Sequence, residues 1–361
     1  MSVRPSVSWL LALIPVVIVV DRMAGPAPLV FGLAALVIVP LAALIVRSTE
    51  RVAEHTGPAI GGLLNATFGN LPELIICVVA LRAGLVEVVR ASLIGAILAN
   101  VLLALGVAFL LGGARYHVMD YNTAAARAYG SMLMLAVITL AVPAAFHRFL
   151  GAAKPASSRA VDLTTSLVLL ATYVCYLVYL VRTHPEFFEA SGARDGHGAH
   201  DGPAWSAGRA LATLLAASVG AAWMSEILVG AAEATGHAVG MSPIFLGMVL
   251  LAVIGGAAES GSAIAMGRKN KMDLAVGIAL GSSIQIALFV APVLVLLSYF
   301  IAPQPMELSF NRAETGSLFM GVLIGTLVSG NGQSNWYKGV QLVTVYTIIA
   351  LMFYFIPGTA H

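Results

Sequence analysis

The sequence predicts an all-α, polytopic membrane protein with about eleven transmembrane helices: one leading helix plus two inverted five-helix repeats. Of the 361 residues, 59% are hydrophobic and only 10% are charged, a balance typical of chains that cross a bilayer several times. Long apolar runs recur along the chain, and its two halves match each other without a gap. The predicted parts are a leading helix (1–26), a first repeat (27–182), a cytoplasmic linker (183–206) and a second repeat (207–361).

Each element is predicted from an apolar run, because a span of the hydrocarbon core needs roughly 20 mostly apolar residues. The first run is short, but no small-residue cleavage site follows it, so we expect a retained helix rather than a signal peptide. The eleven runs lie near 7–20, 27–46, 57–81, 91–112, 128–147, 163–182, 207–232, 242–266, 274–300, 316–330 and 339–356.

The linker is the longest polar connection and is rich in Gly, Ala, Asp and His, which predicts a flexible segment. His184, His197 and His200 have no fixed spacing on a regular element, so we expect a solvated loop there and no metal site. Cys77 and Cys175 fall in predicted spans, and we expect two buried thiols and no disulfide.

The basic residues predict the orientation. Of the 19 Lys and Arg residues, twelve fall on the side that holds the N-terminus and seven on the other. The positive-inside bias places the N-terminus in the cytoplasm of a multi-pass protein, for which we expect a bacterial inner membrane. The scattered basic residues and the lack of phosphate-loop and zinc-protease motifs exclude nucleic-acid and nucleotide functions.

The internal repeat appears when 186 is added to the residue number. The stretch "GGLLNATFGNLPELII" then falls on "GMVLLAVIGGAAESGSAI", so that Gly69 meets Gly255 and Glu73 meets Glu259. The match continues without a gap over 35 residues to Gly95, which meets Gly281. An odd number of spans per repeat inverts the second copy, and inverted repeats hold their ion site near the midplane where the copies meet.

Glu73 and Glu259 are the strongest site candidates, because both lie well inside apolar runs. A charge at the bilayer centre costs roughly 2.5 to 3.5 kcal/mol, and these runs contain no symmetric Lys or Arg to offset it. A cation shared by the two carboxylates is the simplest compensation. A hard cation such as Ca²⁺ takes 6 to 8 oxygen ligands, including main-chain carbonyls.

Free carbonyls require a broken helix, and both repeats contain helix breakers. Side chains near the breaks and in the next spans add neutral oxygens that are ligands or, alternatively, polar contacts between packed helices. The predicted breakers are Gly61, Gly62, Gly69 and Pro72 in the first repeat and Gly255 and Gly256 in the second. The neutral candidates are Asn65, Thr67, Asn70, Asn100, Ser282, Ser283 and Gln285.

Three further carboxylates are candidates for a proton or cation entry route. Glu226 is predicted to lie at membrane depth, whereas Glu50 and Glu233 lie near the ends of their runs, where interfacial solvation explains them equally well.

These motifs resemble the cation/proton exchanger family, the Ca²⁺/H⁺ antiporters of the wider Ca²⁺/cation antiporter superfamily. The likeness covers residues 49–357 and includes "GGLLNATFGNLPELII", "KNKMDLAVGIALGSSIQIALFVAP" and "GQSNWYKGVQLVTVYTIIALMFYFIP". It implies an eleven-span fold and Ca²⁺ export in exchange for protons. It also implies that Glu73 and Glu259 bind either ion, with backbone carbonyls around them. Gln285 and the serines of "GSSIQ" are then expected beside these glutamates. The resemblance further implies that Glu226 is an acidic position of the seventh helix.

The chain departs from the family's motifs in two places. The second repeat reads "GGAAES" where the family reads GNAAEH, so Gly256 replaces an asparagine and Ser260 replaces a histidine that would titrate near neutral pH. The late motif reads "NGQSNW" where the family reads DGKSNW, which leaves Asn331 and Gln333 neutral. These changes affect the expected cation selectivity and proton coupling.

The sequence therefore predicts a Ca²⁺/H⁺ exchanger that works by alternating access and is not an enzyme. Ca²⁺, or a related divalent cation, and H⁺ are the transported ions, so no cofactor is expected, and the partners are these ions and the lipid bilayer. The chain is compatible with an oligomer. The alternatives are a Na⁺-coupled or broad-specificity cation exchanger, a cation channel and an intramembrane enzyme with paired carboxylates.

Overall fold

The computed structural model describes residues 7–56, 58–150, 155–183 and 205–356, and these residues are mostly helical. Among its described residues, the first half starts with a 3₁₀ helix, Val7–Leu13, and contains eight α-helices and two π-helical turns. The α-helices are α1 (Ile14–Arg22), α2 (Ala27–Ala53), α3 (Pro58–Phe68), α4 (Leu71–Arg82), α5 (Val86–Leu98), α6 (Leu105–Tyr116), α7 (Thr123–Leu150) and α8 (Pro155–Val178). The π turns are Ala99–Ala104 and Tyr179–Thr183.

The second half contains a further eight α-helices and two π turns among its described residues. The helices are α9 (Ala207–Val239), α10 (Pro243–Phe245), α11 (Ala252–Gly255), α12 (Ala257–Arg268), α13 (Met272–Gln285), α14 (Ala291–Ile301), α15 (Arg312–Ser329) and α16 (Trp336–Phe355). The π turns are Leu246–Leu251 and Ile286–Val290.

Seven described helices are long and apolar enough to cross a membrane, and the count becomes eight if the bent pair 243–268 forms one span. They include an uninterrupted 31-residue helical stretch, Val86–Tyr116, in which α5 and α6 are joined by a π turn. A multi-pass membrane protein is therefore confirmed at this level. The sequence prediction of eleven spans also counts shorter pieces such as α1, α3 and α4, which do not reach the length of a span alone.

Local chemistry explains several helix ends. Pro15 lies in the first turn of α1, where its missing N–H costs no hydrogen bond. Helix α2 continues beyond the predicted apolar run to Ala53, and Arg51 and Glu54 form an ion pair of 3.1 Å at its end. Helix α15 begins with a capping box, in which Asn311 and Glu314 each accept a backbone hydrogen bond from the other.

The two segments that carry the paired glutamates are interrupted. Helix α3 ends at Phe68 and α4 begins at Leu71, whereas α11 and α12 meet at Gly256 in a segment that is bent by 61°. The same repeat offset of 186 residues relates the bounds of α4 and α12.

The prediction that Gly61 and Gly62 break the first segment is wrong, because both lie inside α3. Gly61 instead permits close packing, since a Cβ atom there would lie 2.7 Å from the carbonyl oxygen of Ala53. The prediction for the cysteines is half correct: Cys77 is buried, but Cys175 lies on the exposed face of α8.

The loops meet in two groups, one at each end of the long α5–α6 stretch. At one end, β1 (Val118–Asp120) and β2 (Gln333–Asn335) form an antiparallel pair that the sequence analysis did not predict. The backbone N–H of Asn122 donates to Asp273 at 2.7 Å in the same group. At the other end, Arg90 donates to the carbonyl oxygen of Ser309 at 2.7 Å.

The apolar core consists of two clusters. The larger one fills the space between α4–α8 and α12–α16, and the smaller one is built mostly from α1, α2 and α9. The two halves are in close contact where glycines remove side chains from the interface. Gly95 of α5 lies directly against the carbonyl group of Met248, and Gly247 lies against that of Val88.

Candidate cation site

The two helix breaks have nearly the same backbone conformation. Asn70, which precedes α4, has φ −90° and ψ 20°, and Gly256, which precedes α12, has φ −80° and ψ 11°. Glu73 and Glu259 therefore lie at equivalent places, in the first turn of α4 and α12. A helix N-terminus favours negative charge at this position.

Both carboxylates are buried. Glu73 is 6% exposed and Glu259 is 8% exposed, and their four carboxylate oxygens accept no hydrogen bond from another described residue. Glu73 and Glu259 lie within electrostatic reach of each other. Buried charges without partners are costly, so this pair requires protons or a cation for compensation.

Glu73 lies directly against the opposite break. A Cβ atom at Gly255 would lie 3.1 Å from Cγ of Glu73, and one at Gly256 would lie 3.5 Å from Oε1 of Glu73. The small residues of the second repeat therefore bring the first glutamate next to the start of α12. This approach places the charged ends of the two broken segments together.

A chain of side-chain hydrogen bonds links the two repeats beside the glutamates. Nδ2 of Asn70 donates to Oε1 of Gln285 at 2.6 Å, and the hydroxyl of Ser282 donates to Oδ1 of Asn70 at 2.8 Å. Asn100 extends the chain, because its Nδ2 donates to Ser282 at 3.4 Å and its Oδ1 accepts from Ser260 at 3.4 Å. These five residues form one polar network across the two halves.

The other neutral candidates are engaged locally. The hydroxyl of Ser283 donates to the carbonyl of Ala279 at 2.8 Å within its own helix, and the side chain of Thr67 hydrogen-bonds with Tyr173. Asn65 is half-buried, and its carbonyl accepts from the N–H of Gly69 at 2.9 Å. The structure therefore does not bring these three side chains into the network.

The three additional carboxylates lie in different environments. Glu50 is half-buried on α2 and within electrostatic reach of Glu259, closer to the pair than its sequence position at a helix end indicated. Glu226 lies on an exposed face, where its side chain is 58% exposed and 3.9 Å from Arg82. Glu233 is also exposed.

The divergent motif near the C-terminus surrounds a lysine. Nζ of Lys338 donates to Oδ1 of Asn331 at 2.6 Å and to the carbonyl of Gln333 at 2.7 Å. Nε2 of Gln333 donates to Asp120 at 3.0 Å. These residues hold the β1–β2 pair in place, and the sequence analysis did not identify Lys338 because its acceptors are set by the loop conformation.

The chemistry of the site suits a hard cation. It combines two carboxylates with amide and hydroxyl oxygens, which are the ligands that Ca²⁺ prefers. Within the part of the chain that the structure describes, no group of three His, Cys, Asp or Glu side chains could hold a metal ion. Further ligands would have to be neutral oxygens or water.

Comparison with known proteins gives consistent results. The profile of the family described as "Sodium/calcium exchanger protein" matches residues 26–182 and 209–355. The chain is 38% identical to the Ca²⁺/H⁺ antiporter of Synechocystis over 340 residues, which cover 91% of each protein. It is 38% identical to the Ca²⁺/H⁺ antiporter ChaA of Bacillus subtilis, with 94% of this chain and 96% of that protein covered. The solved structure of native YfkE superposes with a TM-score of 0.83 at 35% identity, covering 97% of this chain and 100% of that chain.

Proposed function

Because the chain belongs to the sodium/calcium exchanger protein family, we propose that it is a secondary active transporter that exchanges Ca²⁺, or a related divalent cation, for H⁺. Two relatives that it resembles over nine-tenths of its length are Ca²⁺/H⁺ antiporters. The ion site is formed by Glu73 and Glu259 near the membrane midplane.

One observation carries this proposal: two buried glutamates, one from each repeat, lie within electrostatic reach of each other, and none of their oxygens accepts a hydrogen bond from another described residue. Such a pair is stable only when its charge is neutralised. A divalent cation neutralises both carboxylates at once, and two protons do the same. Binding of one ion therefore excludes the other, which is the requirement for exchange.

Alternating access follows from this charge balance. Ca²⁺ binds from the cytoplasm, and protons from the opposite side neutralise the carboxylates and release it. The empty, doubly charged site cannot cross the apolar barrier, so transport of one ion is coupled to return of the other. The separate apolar cluster of α1, α2 and α9 is the element we expect to move relative to the larger core.

The proposed layout is eleven crossings, in which a leading helix precedes two inverted five-helix repeats. The two loop groups support it. The start of α5 and the loop before α15 meet at one end, and the loops after α6 and before α16 meet at the other. The 31-residue stretch between the ends is about 46 Å long, more than the roughly 30 Å of the hydrocarbon core. The N-terminus is placed in the cytoplasm.

Polar residues around the glutamates have supporting roles. Asn70, Gln285, Ser282, Asn100 and Ser260 form the hydrogen-bond network that positions the broken segments. Carbonyls at the breaks near Gly69, Gly255 and Gly256 contribute ligands, and Ser283 remains a candidate ligand with the weaker support of an intrahelical bond. Glu50, which lies within electrostatic reach of Glu259, is a candidate for the proton or cation entry route. Glu226 and Glu233 are weaker candidates for this route, because both are exposed.

Na⁺-coupled exchange is the second candidate. Ser260, which replaces a histidine of the resembled family, carries a hydroxyl that donates to Asn100 and does not titrate near neutral pH. A coupling ion other than H⁺ is therefore chemically compatible with this site.

Flux measurements in proteoliposomes test the proposal. We expect ⁴⁵Ca²⁺ uptake when a pH gradient is imposed, little uptake with a Na⁺ gradient, and loss of uptake in Glu73→Gln and Glu259→Gln. Glu307→Gln, which changes an exposed loop carboxylate, serves as the matched control and should retain transport. Uptake down the Ca²⁺ gradient without a pH or Na⁺ gradient indicates a channel. Uptake driven by a Na⁺ gradient alone supports the second candidate. Wild-type exchange by Glu73→Gln would show that Glu73 is not part of the site.

A further inference from the structure

The polar groups at the two helix breaks are unequally distributed. At the first break, Asn70 bonds with Gln285 and Ser282 at 2.6 and 2.8 Å. The repeat offset assigns each of these residues an equivalent in the other half, and none of the equivalents has a polar side-chain atom. They are Gly256, Ala99 and Ala96.

Near Gly256, two positions reverse this unequal distribution of polar side chains. Asn100 and Ser260 contribute an amide and a hydroxyl on the Gly256 side, where the other half has the apolar equivalents Ile286 and Leu74. Asn100 is nevertheless held by bonds of 3.4 Å to Ser260 and Ser282, which are longer than those of Asn70. The polar contacts on the Asn70 side are therefore shorter than those on the Gly256 side.

The backbone does not require glycine at position 256. Its φ of −80° is ordinary for any residue, and Asn70 adopts nearly the same conformation at the equivalent place. A Cβ atom at Gly256 would lie 3.2 Å from the carbonyl oxygen of Ala252, 3.5 Å from Oε1 of Glu73 and 3.9 Å from Oδ1 of Asn100. A side chain there would thus extend among three oxygen atoms that line the site.

We propose that Gly256 determines the cation selectivity of the site: the cation keeps a water ligand in the space beside Gly256, so that divalent cations larger than Ca²⁺ are also accepted. This inference rests on the proposed function and specifies its substrate range. The three surrounding oxygens are hydrogen-bond acceptors, and a metal-bound water has two O–H groups to donate to them.

The physical reason is the freedom of the ligand. Selectivity among hard cations depends on cavity size, ligand number and ligand flexibility. An asparagine attached at the helix break holds its oxygen at a fixed distance and penalises a larger ion. A water molecule can shift to accommodate a larger ion, so a site that lacks a side-chain ligand at Gly256 discriminates weakly between Ca²⁺ and Sr²⁺.

The test compares Ca²⁺ and Sr²⁺ as substrates in proteoliposomes under the same pH gradient. For the wild-type protein, we expect KM values for the two ions that agree within about threefold. The double variant Gly256→Asn/Ala96→Ser recreates the Asn70–Ser282 pair on this side, and it should raise the ratio of the Sr²⁺ to the Ca²⁺ KM by about fivefold or more. Gly281→Ala, a substitution into open space on α13, is the control and should leave the ratio unchanged.

Thermal unfolding of the purified variants in detergent shows whether they are folded and gives a second reading, because Ca²⁺ should raise the Tm of the double variant more than Sr²⁺ does. An unchanged KM ratio in a folded double variant overturns the inference while leaving exchange intact. A wild-type preference for Ca²⁺ above about tenfold overturns it without any variant. Absence of pH-driven uptake by the wild-type protein is a different result, because it removes the proposed function as well.

Discussion

At the scale of single residues, the protonation of Glu73 and Glu259 should control cation binding. The two carboxylates are buried and lie within electrostatic reach of each other. In the proposed site, protons and a divalent cation compete for the same oxygens, so lowering the pH should weaken cation binding, since protonation removes the charge that attracts the cation.

We therefore expect the rise in Tm that Ca²⁺ produces to be largest at neutral to alkaline pH and to shrink as the pH falls. Differential scanning fluorimetry in detergent over a pH series measures this effect. Glu259→Gln removes one of the two proposed charged ligands and should reduce the Ca²⁺ effect at every pH. A Ca²⁺-induced shift that does not change with pH would contradict competition at this site.

Asn70→Ala is expected to destabilise the protein by about 1 to 3 kcal/mol, because it leaves the partly buried Gln285 without its 2.6 Å donor and Ser282 without its 2.8 Å acceptor. Ser283→Ala is the matched control, since that hydroxyl bonds only to a carbonyl of its own helix. Chemical or thermal unfolding in detergent measures the difference. Equal losses for the two variants would show that the link between the repeats contributes nothing to stability.

The sequence is informative about Glu73 and Glu259 because a carboxylate in an apolar run is visible without a structure. The network around them is not visible in this way. Asn70 and Gln285 are 215 positions apart, and only helix packing brings them together. The same applies to Glu50, which lies near Glu259, and to Glu226, which the packing of α4 and α9 leaves on an exposed face beside Arg82.

At the scale of helices, equivalent positions in the two repeats have different packing. Gly95 of α5 lies directly against the carbonyl group of Met248, whereas at its equivalent, Gly281, a Cβ atom would have no described atom within 4 Å apart from its chain neighbours and the backbone of its own helix. The glycine is thus required at one place and is optional at the other.

Gly95→Ala should separate α5 from the π turn at Met248 and lower the stability by about 1 to 3 kcal/mol through overpacking. Gly281→Ala should be neutral or stabilising by up to about 1 kcal/mol, because alanine favours a helix and meets open space. The Tm and the monodisperse fraction after detergent extraction measure both effects. Similar behaviour of the two variants would contradict the close contact at Gly95.

Helix positions follow from apolar periodicity and length, which is why most of the elements were predictable. The predicted break near Gly69 and Pro72 occurs, since proline lacks the N–H that would continue the hydrogen-bond ladder. Gly61 and Gly62 do not break α3, because glycine permits a break but does not impose one. The β1–β2 pair joins residues that are more than 200 positions apart and has no local signal.

At the scale of the whole molecule, the number of crossings determines which loops share a compartment. The eleven-crossing layout places the loop at Lys269 in the cytoplasm and the loop at Glu307 on the opposite side, and both residues are exposed. Length and apolarity alone count seven spans among the described residues, or eight if the bent pair 243–268 forms one span.

Single cysteines at these two positions test the layout in a variant that lacks Cys77 and Cys175. We expect a membrane-impermeant maleimide to label Lys269→Cys in everted vesicles and Glu307→Cys in intact cells. Labelling of both positions from the same side would rule out an odd number of crossings between them. Transport by each cysteine variant serves as the control for folding.

Asn70 and Gly256 occupy equivalent positions in the two repeats but are different residues, which is possible because both repeats lie in one chain. In a symmetric dimer of one repeat, every residue occurs twice in the same environment, so the two walls of a shared site are identical. Fusion of two copies into one chain lets each copy mutate separately. In the proposed site, the two walls can therefore differ, so that the ion preference changes at Gly256 while Asn70 keeps its hydrogen bonds to the other half.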